Sequence, residues 1–331
     1  EALRKTVTAF RFSWEGQVFS VGVSIGLVSI TEASGSLDEV LSHADAACYA
    51  AKDRGRNRVH LFQPDDIEAQ ERQGQIQWAS RLQEALDKDL FRLYFQTIVP
   101  LENSDNTMPH YEILARMIGP QGEIIPPGAF IPAAERFGLM PKIDQWVIRN
   151  TLAWMGDQLR QNQQPVFCSI NLSGASIGRE DILQLIQEQL TKRKVPANNI
   201  CFEITETAAI ADPANAARFI TELKSLGCQF ALDDFGSGLS SFGYLKQLPV
   251  DYLKIDGIFI QELANNRIDQ AMVASINNIG HIMGLKTIAE FVEDAATLNI
   301  LRQIGVDYVQ GFYLSRPEPL ESLMSVRVMP R

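Results

Sequence analysis

The sequence predicts an α/β protein dominated by a (β/α)8 barrel of the TIM type, its first strand antiparallel to the rest, with a small α+β piece ahead of it. Three observations carry this. From Asp89 onward, short apolar segments alternate with longer amphipathic ones, the rhythm of repeated βα units. Eight such segments fall within roughly 240 residues, the count and length of a closed barrel. Charged and amide residues stand at the C-terminal ends of nearly all of them, where the loops of such a barrel build a site.

In chain order, the predicted parts are a small α+β remnant over residues 1–63, too short for an independent domain, a connecting helix over 64–88 and the barrel over 89–331. The first part opens with a helix-like segment and continues through a β-rich run, Val18 to Val28, with apolar residues at period two. A helix around Leu37 to Asp53 and an end strand near Val59 follow. Over 64–88, Ile76, Ala79, Leu82, Ala85 and Leu86 have the spacing of one helical face. The barrel strands are expected at 91–99, 110–118, 166–172, 200–204, 229–233, 251–255, 286–289 and 308–310. The first two are joined by a polar connection too short for a crossover, so they form a hairpin. The second leads through helices to the third, which makes the first strand the reversed one.

Lys+Arg 30 against Asp+Glu 40 gives a net charge of −10 over 331 residues, which argues against duplex nucleic acid as the main partner. Phosphates can still bind where metal ions and a few local cations invert the field. Cys48, Cys168, Cys201 and Cys228 stand singly, without a C-x-x-C pair, and read as reduced core residues of a cytoplasmic protein. No signal peptide or bilayer-spanning run is evident, so membrane contact is expected only through regions outside this chain.

Chemistry concentrates between Gln229 and Asp256. A short apolar run ends in Asp233 and Asp234, followed by a loop punctuated by Gly236, Gly238 and Gly243. The next apolar strand carries Lys254 in its interior, where an unpaired ammonium would be heavily penalised. Two readings stand at this point: a structural ion pair, or a metal site on the two aspartates beside a charge-stabilising lysine. Other strands add to the rim. Glu112 and Arg116 share one face of the second strand, Asn171 ends the third, and Glu203 with Glu206 ends the fourth. Glu290 ends the seventh and Gln310 the eighth. Oxygen donors without His or Cys suit hard cations, Mg²⁺ or Mn²⁺, and the chemistry that follows is phosphoryl transfer with two ions and Asp233 between them. Among the histidines only His110 lies near this set, as a minor candidate.

The runs Glu112-Ile113-Leu114-Ala115-Arg116, Asn171-Leu172-Ser173, Glu203-Ile204-Thr205-Glu206, Asp233-Asp234-Phe235-Gly236, Lys254-Ile255-Asp256, Lys286-Thr287-Ile288-Ala289-Glu290-Phe291-Val292-Glu293 and Gln310-Gly311-Phe312 resemble the EAL family of cyclic di-GMP phosphodiesterases, from Asp89 to about Pro319. The resemblance implies hydrolysis of cyclic di-GMP to linear 5′-pGpG, lowering a second messenger of bacterial signalling. It implies that Glu112, Asn171, Glu203 and Asp233 hold one Mg²⁺ or Mn²⁺, and that Asp233, Asp234 and Glu290 hold or orient a second. Lys254 would contact the attacking water or the metal surroundings, and Gln310 the water or the same surroundings. Arg116 would take a substrate phosphate, with Glu293 and Asp256 on the substrate side. The loop from Asp234 to Ser241 matches a segment coupling metal binding to homodimer contacts. Ile113 replaces the name-giving alanine, and Ser237 and Leu239 replace the usual Thr and Tyr of that loop. The alternative is a domain that binds cyclic di-GMP as a signal without cleaving it, although the acids and the lysine such domains lack all stand here. Residues 1–63, through their VSVGVSIG-like strand and ADAACYAAKDRGRNRV helix, resemble the C-terminal half of a GGDEF (diguanylate cyclase) domain without its signature. That piece is expected to carry no cyclase site and to belong to a larger, membrane-anchored sensor.

Overall fold

Phe91–Pro100 (β1) and His110–Ile118 (β2) pair antiparallel in one register, Phe91 opposite Met117 and Ile98 opposite His110. In this computed structural model, which describes residues 1–14, 17–20, 22–31, 34, 36–53, 55–63, 78–102, 108–236 and 243–325, that hairpin opens a closed sheet. The sheet continues through Phe167–Asn171 (β3), Ile200–Thr205 (β4), Gln229–Phe235 (β5), Tyr252–Ile255 (β6), Lys286–Ala289 (β7) and Tyr308–Val309 (β8). From β2 to β8 each strand is parallel to the next. β1 closes the ring antiparallel to both β2 and β8. The expected barrel and its reversed first strand are therefore what the chain forms.

The interior is built in two levels by strand alternation. Ile98, Phe167, Cys201, Ala231, Tyr252 and Ile288 form a buried cluster with Tyr308 packed against it. His110 joins this level, its ring 4.6 Å from that of Phe167 and 6.1 Å from those of Tyr252 and Tyr308. Two residues further along β2, β4, β5, β6, β7 and β8 stand Glu112, Glu203, Asp233, Lys254, Glu290 and Gln310. On the reversed β1 the same step runs backwards, from Ile98 to Gln96. The apolar level thus forms a floor beneath the polar one.

Around the sheet, helices bury one stripe each. Met140–Arg160 covers the barrel with Ile143, Val147, Ile148, Leu152 and Met155. Asp212, Asn266 and Asp294 cap the helices Pro213–Ser225, Arg267–Ile282 and Ala295–Ile304 by accepting backbone N–H groups, and Gly305 at φ 83° ends the last of them.

The chain divides into two units, Glu1–Arg81 and Leu82–Arg331. Residues 78–87 are helical; 64–77, the rest of the expected connecting helix, lie outside the described residues. In the first unit the parallel strands Ile25–Leu27 and Val59–Leu61 flank the helix Leu37–Asp53. Gly26 is required there: a Cβ at this position would lie 2.3 Å from Ala44 O and 2.4 Å from Cys48 N. The small face of Ala46, Ala47, Ala50 and Ala51 is buried in this unit. The expected β-run from Val18 to Val28 is interrupted, its first part, Gln17–Ser20, pairing instead with Arg11–Trp14. All four cysteines are free thiols. Among the described residues no helix is long and apolar enough to cross a membrane.

Candidate active site

Lys254 comes from β6, a strand flanked on both sides by parallel neighbours and buried at every residue. Its side chain has no exposed surface. Nζ lies 2.6 Å from Glu203 Oε2, 2.9 Å from Glu290 Oε1, 3.1 Å from Asp233 Oδ1 and 3.8 Å from Glu112 Oε2. Four strands thus deliver one carboxylate each to a single ammonium. Beside it, carboxylate oxygens of Asp233, Asp234 and Glu290 lie within 4.8 Å of one another, close enough to share a cation.

Glu112 is oriented by amides. Asn171 Nδ2 donates to its Oε1 at 2.7 Å and Gln310 Nε2 to its Oε2 at 2.6 Å. Gln310 Nε2 also donates to Gln96 Oε1 at 3.1 Å, and Gln96 Nε2 to Ser315 O at 2.9 Å. Sequence reasoning missed Gln96. The signal was present, because reversing β1 sets Gln96 opposite Glu112 in the ladder. Beyond this network opens a cleft of about 310 Å³ whose walls include Gln96, Leu114, Arg116, Phe291, Glu293 and Phe312. Arg116, half-buried, holds its guanidinium 5.3 Å from the ring centre of Tyr94. Phe291 and Phe312, each about half exposed, are cleft residues that the strand pattern did not point to, since both follow the strands rather than lie in them.

The turn after β5 is shaped by backbone. The register with β6 shifts between Leu232 and Phe235, and Asp234 sits at φ 55°, a region that Asp tolerates better than most residues. Asp234 N donates to Asp233 Oδ1 at 3.0 Å, so the two acids point from one kink. Glu206, 2% exposed, accepts from Gly236 N at 2.9 Å and from the Tyr244 hydroxyl. Of the expected coupling loop, residues 237–241 lie outside the described residues.

Charge dominates the site. With every acid ionised, the five carboxylates around Lys254 leave four negative charges uncompensated. Burial pushes Glu203 up to about 8, against the pull of Lys254 and with help from Glu112 and Asp233. Burial and the adjacent Asp233 push Asp234 up to about 6, and burial raises Glu290 well above the carboxylate range. Burial alone would lower Lys254, but the carboxylates of Asp233, Glu112, Glu203 and Glu290 outweigh it and hold it charged. Glu203 Oε1 and Gln310 Oε1 are buried without a hydrogen-bond partner. Excess negative charge, hard oxygen donors and orphaned acceptors are what a divalent cation would satisfy.

The remaining candidates divide. Glu293 stands exposed at the cleft. Asp256 adds to the rise of Asp234 but uses Oδ1 to accept from Ile258 N at 3.0 Å, capping the turn after β6. His110 belongs to the floor: Nε2 bonds Ser169 Oγ at 2.9 Å, and burial drives its pKa down to about 3, so the ring is neutral and away from the acids. It is not a ligand of this site.

Comparison with known proteins matches the EAL domain over residues 79–317 and the diguanylate cyclase GGDEF domain over residues 1–58. The cyclic di-GMP phosphodiesterase PdeB of Shewanella oneidensis is 42% identical over 306 residues, 92% of this chain and 35% of that protein. PdeF of Escherichia coli, also a cyclic di-GMP phosphodiesterase, is 32% identical over 96% of this chain and 42% of its own length. The chain thus spans well under half of these relatives. Among solved structures, the MucR phosphodiesterase in complex with cyclic di-GMP is 33% identical with a TM-score of 0.69, covering 75% of this chain and 99% of that one. The FimX EAL domain of Pseudomonas aeruginosa bound to cyclic di-GMP is 34% identical with a TM-score of 0.68, covering 73% of this chain and 96% of that one.

Proposed function

This chain belongs to the EAL domain family, and we propose that it hydrolyses cyclic di-GMP to linear 5′-pGpG at the carboxylate end of its barrel. The observation that carries the reading is the convergence of Glu112, Glu203, Asp233 and Glu290 on a fully buried, charged Lys254, with Asp234 beside Asp233 and Glu290, and with Asn171 and Gln310 bonded to Glu112, next to an open cleft. A degenerate receptor would not need that set.

Glu112, Asn171, Glu203 and Asp233 would hold one divalent cation, and Asp233, Asp234 and Glu290 a second, with Mg²⁺ and Mn²⁺ the hard ions that suit these donors. Bound there, the ions supply Lewis acidity that lowers the barrier to attack by water on phosphorus. The protein's own groups do the rest. Arg116 binds a phosphate oxygen through its guanidinium fork, which Tyr94 holds in place. Lys254, kept charged by its acids, stabilises the negative charge that develops at the reacting phosphate. Gln310 is fixed by its bonds to Glu112 and Gln96, leaving Oε1 to accept from the attacking water. Water oxygen bonds to phosphorus, the bond to a ribose O3′ breaks, and O3′ takes up a proton, opening the ring to a dinucleotide with a free 5′-phosphate. The exposed aromatic residues Phe291 and Phe312 offer faces for the bases, with Glu293 beside them.

This reading also places the chain in the cytoplasm and makes it a homodimer. Ile258, Ile268 and Met272, 55%, 74% and 42% exposed, supply apolar surface on the turn and helix that follow β6.

The decisive experiment incubates the purified chain with cyclic di-GMP and Mg²⁺ or Mn²⁺, with and without EDTA, and separates the nucleotides. We expect pGpG in the metal arms and none with EDTA. Undiminished product in EDTA would sink the cation reading, and binding without product would leave a receptor.

A further inference from the structure

Asp144 stands on the helix Met140–Arg160, outside the cleft, with 3% of its surface exposed. One of its oxygens, Oδ2, accepts three hydrogen bonds: from Ser173 N at 3.0 Å, from Ser173 Oγ at 2.6 Å and from Ser176 Oγ at 2.6 Å. All three donors belong to the turn that leaves β3 just after Asn171. A buried carboxylate persists only where donors satisfy it, and here every one of these donors comes from a single four-residue segment. The carboxylate therefore fixes the shape of that segment.

Asn171 is held on its other side as well. Its Nδ2 donates to Glu112 Oε1 at 2.7 Å, and Leu172 N donates to Glu203 O at 2.8 Å. The turn itself has little slack, since a Cβ at Gly174 would come within 3.1 Å of Ala208 Cβ. We propose that Asp144 is a positioning residue for the cation site: by bracing the Ser173–Ser176 turn against its helix, it sets the amide of Asn171 against Glu112. The inference rests on the reading of Glu112 and Asn171 as cation ligands.

The test measures Mn²⁺ binding to the full chain by calorimetry for Asp144→Ala and Asp144→Asn, each with Asn171 intact and with Asn171→Ala. Asp144→Ala should bind Mn²⁺ about tenfold more weakly than wild type, as expected when a group that orients a ligand is lost. Asp144→Asn should lose less, because its amide oxygen still accepts, though as a neutral acceptor. Added to Asn171→Ala, Asp144→Ala should cause no further weakening. A second full loss in that background would overturn the proposal, because a general loosening of the fold acts with or without the Asn171 amide. Hydrogen exchange without metal gives an independent readout. Asp144→Ala should speed exchange across residues 172–176 and leave the barrel strands protected, with Asp144→Asn in between; unchanged protection of that segment in Asp144→Ala would also overturn it. Should wild type bind no Mn²⁺, the cation reading fails, and the exchange measurement still decides whether Asp144 positions the turn.

Discussion

At Lys254, four carboxylates lie within 3.8 Å of one ammonium. Removing that ammonium leaves the acids facing one another, whereas removing Arg116 leaves the cluster intact. Lys254→Ala should therefore chiefly lower kcat and Arg116→Ala chiefly raise KM, a split that steady-state kinetics on the two variants resolves. The reverse pattern would mean that the roles are misassigned. Asp233→Asn, which removes charge from the position between the two proposed ions, should lower kcat on the order of a hundredfold. The acids also make stability depend on pH. Glu203 titrates at about 8 and Asp234 at about 6 in the folded chain, both above the ordinary carboxylate range. Between that range and pH 8 the folded chain keeps protons that the unfolded chain has released, so the contribution of these groups to stability falls as pH rises. Without metal, the melting temperature should drop from pH 5.5 to pH 8 more in wild type than in Glu203→Gln, and added Mn²⁺ should raise it more at pH 8 than at pH 5.5. Equal slopes in the two proteins would show that Glu203 does not hold its proton.

The elements set these residues by alternation and by two close backbone approaches. Beyond the ends of β7 and β8, Val292 N donates to Gln310 O and Tyr313 N to Val292 O, both at 3.0 Å. A Cβ at Gly311 would sit 2.2 Å from both Val292 N and Val292 O. Gly311→Ala should thus cost about 1–3 kcal/mol through overpacking and raise KM by displacing Gln310, which thermal melts and kinetics would show. A variant that melts and turns over like wild type would place the strain elsewhere. Much of this was legible in the sequence. Eight apolar segments with polar ends gave the strands within one or two residues, and period two placed Glu112 and Arg116 on one face. What escaped was set by direction and by backbone kinks. Gln96 faces the site only because β1 runs backwards, so its polar end precedes its apolar one. Phe291 reaches the cleft from a left-handed conformation at φ 52°, which no periodicity encodes. His110 shares a face with Glu112 but stands one layer below, and depth along a strand cannot be read from alternation alone.

For the whole molecule, the proposed self-association is open to a direct check. Specific activity should fall on dilution in step with a shift from dimer to monomer mass by light scattering, and Ile268→Glu should move that shift to higher protein concentration. Constant activity from a monomer at every concentration would rule the dimer out. The reversed β1 has a last consequence. In a barrel that alternates regularly the polypeptide arrives on the face away from the chemistry. Here Ile118 N, at the C-terminal end of β2, bonds Leu90 O, so the chain arrives on the same face as the acids. From Phe91 to Gln96 is five residues of strand, about 17 Å at about 3.3 Å per residue. A tug or twist on the polypeptide upstream would thus enter on the side of the acids, half a strand from Gln96, the hydrogen-bond partner of Gln310, without having to cross the barrel.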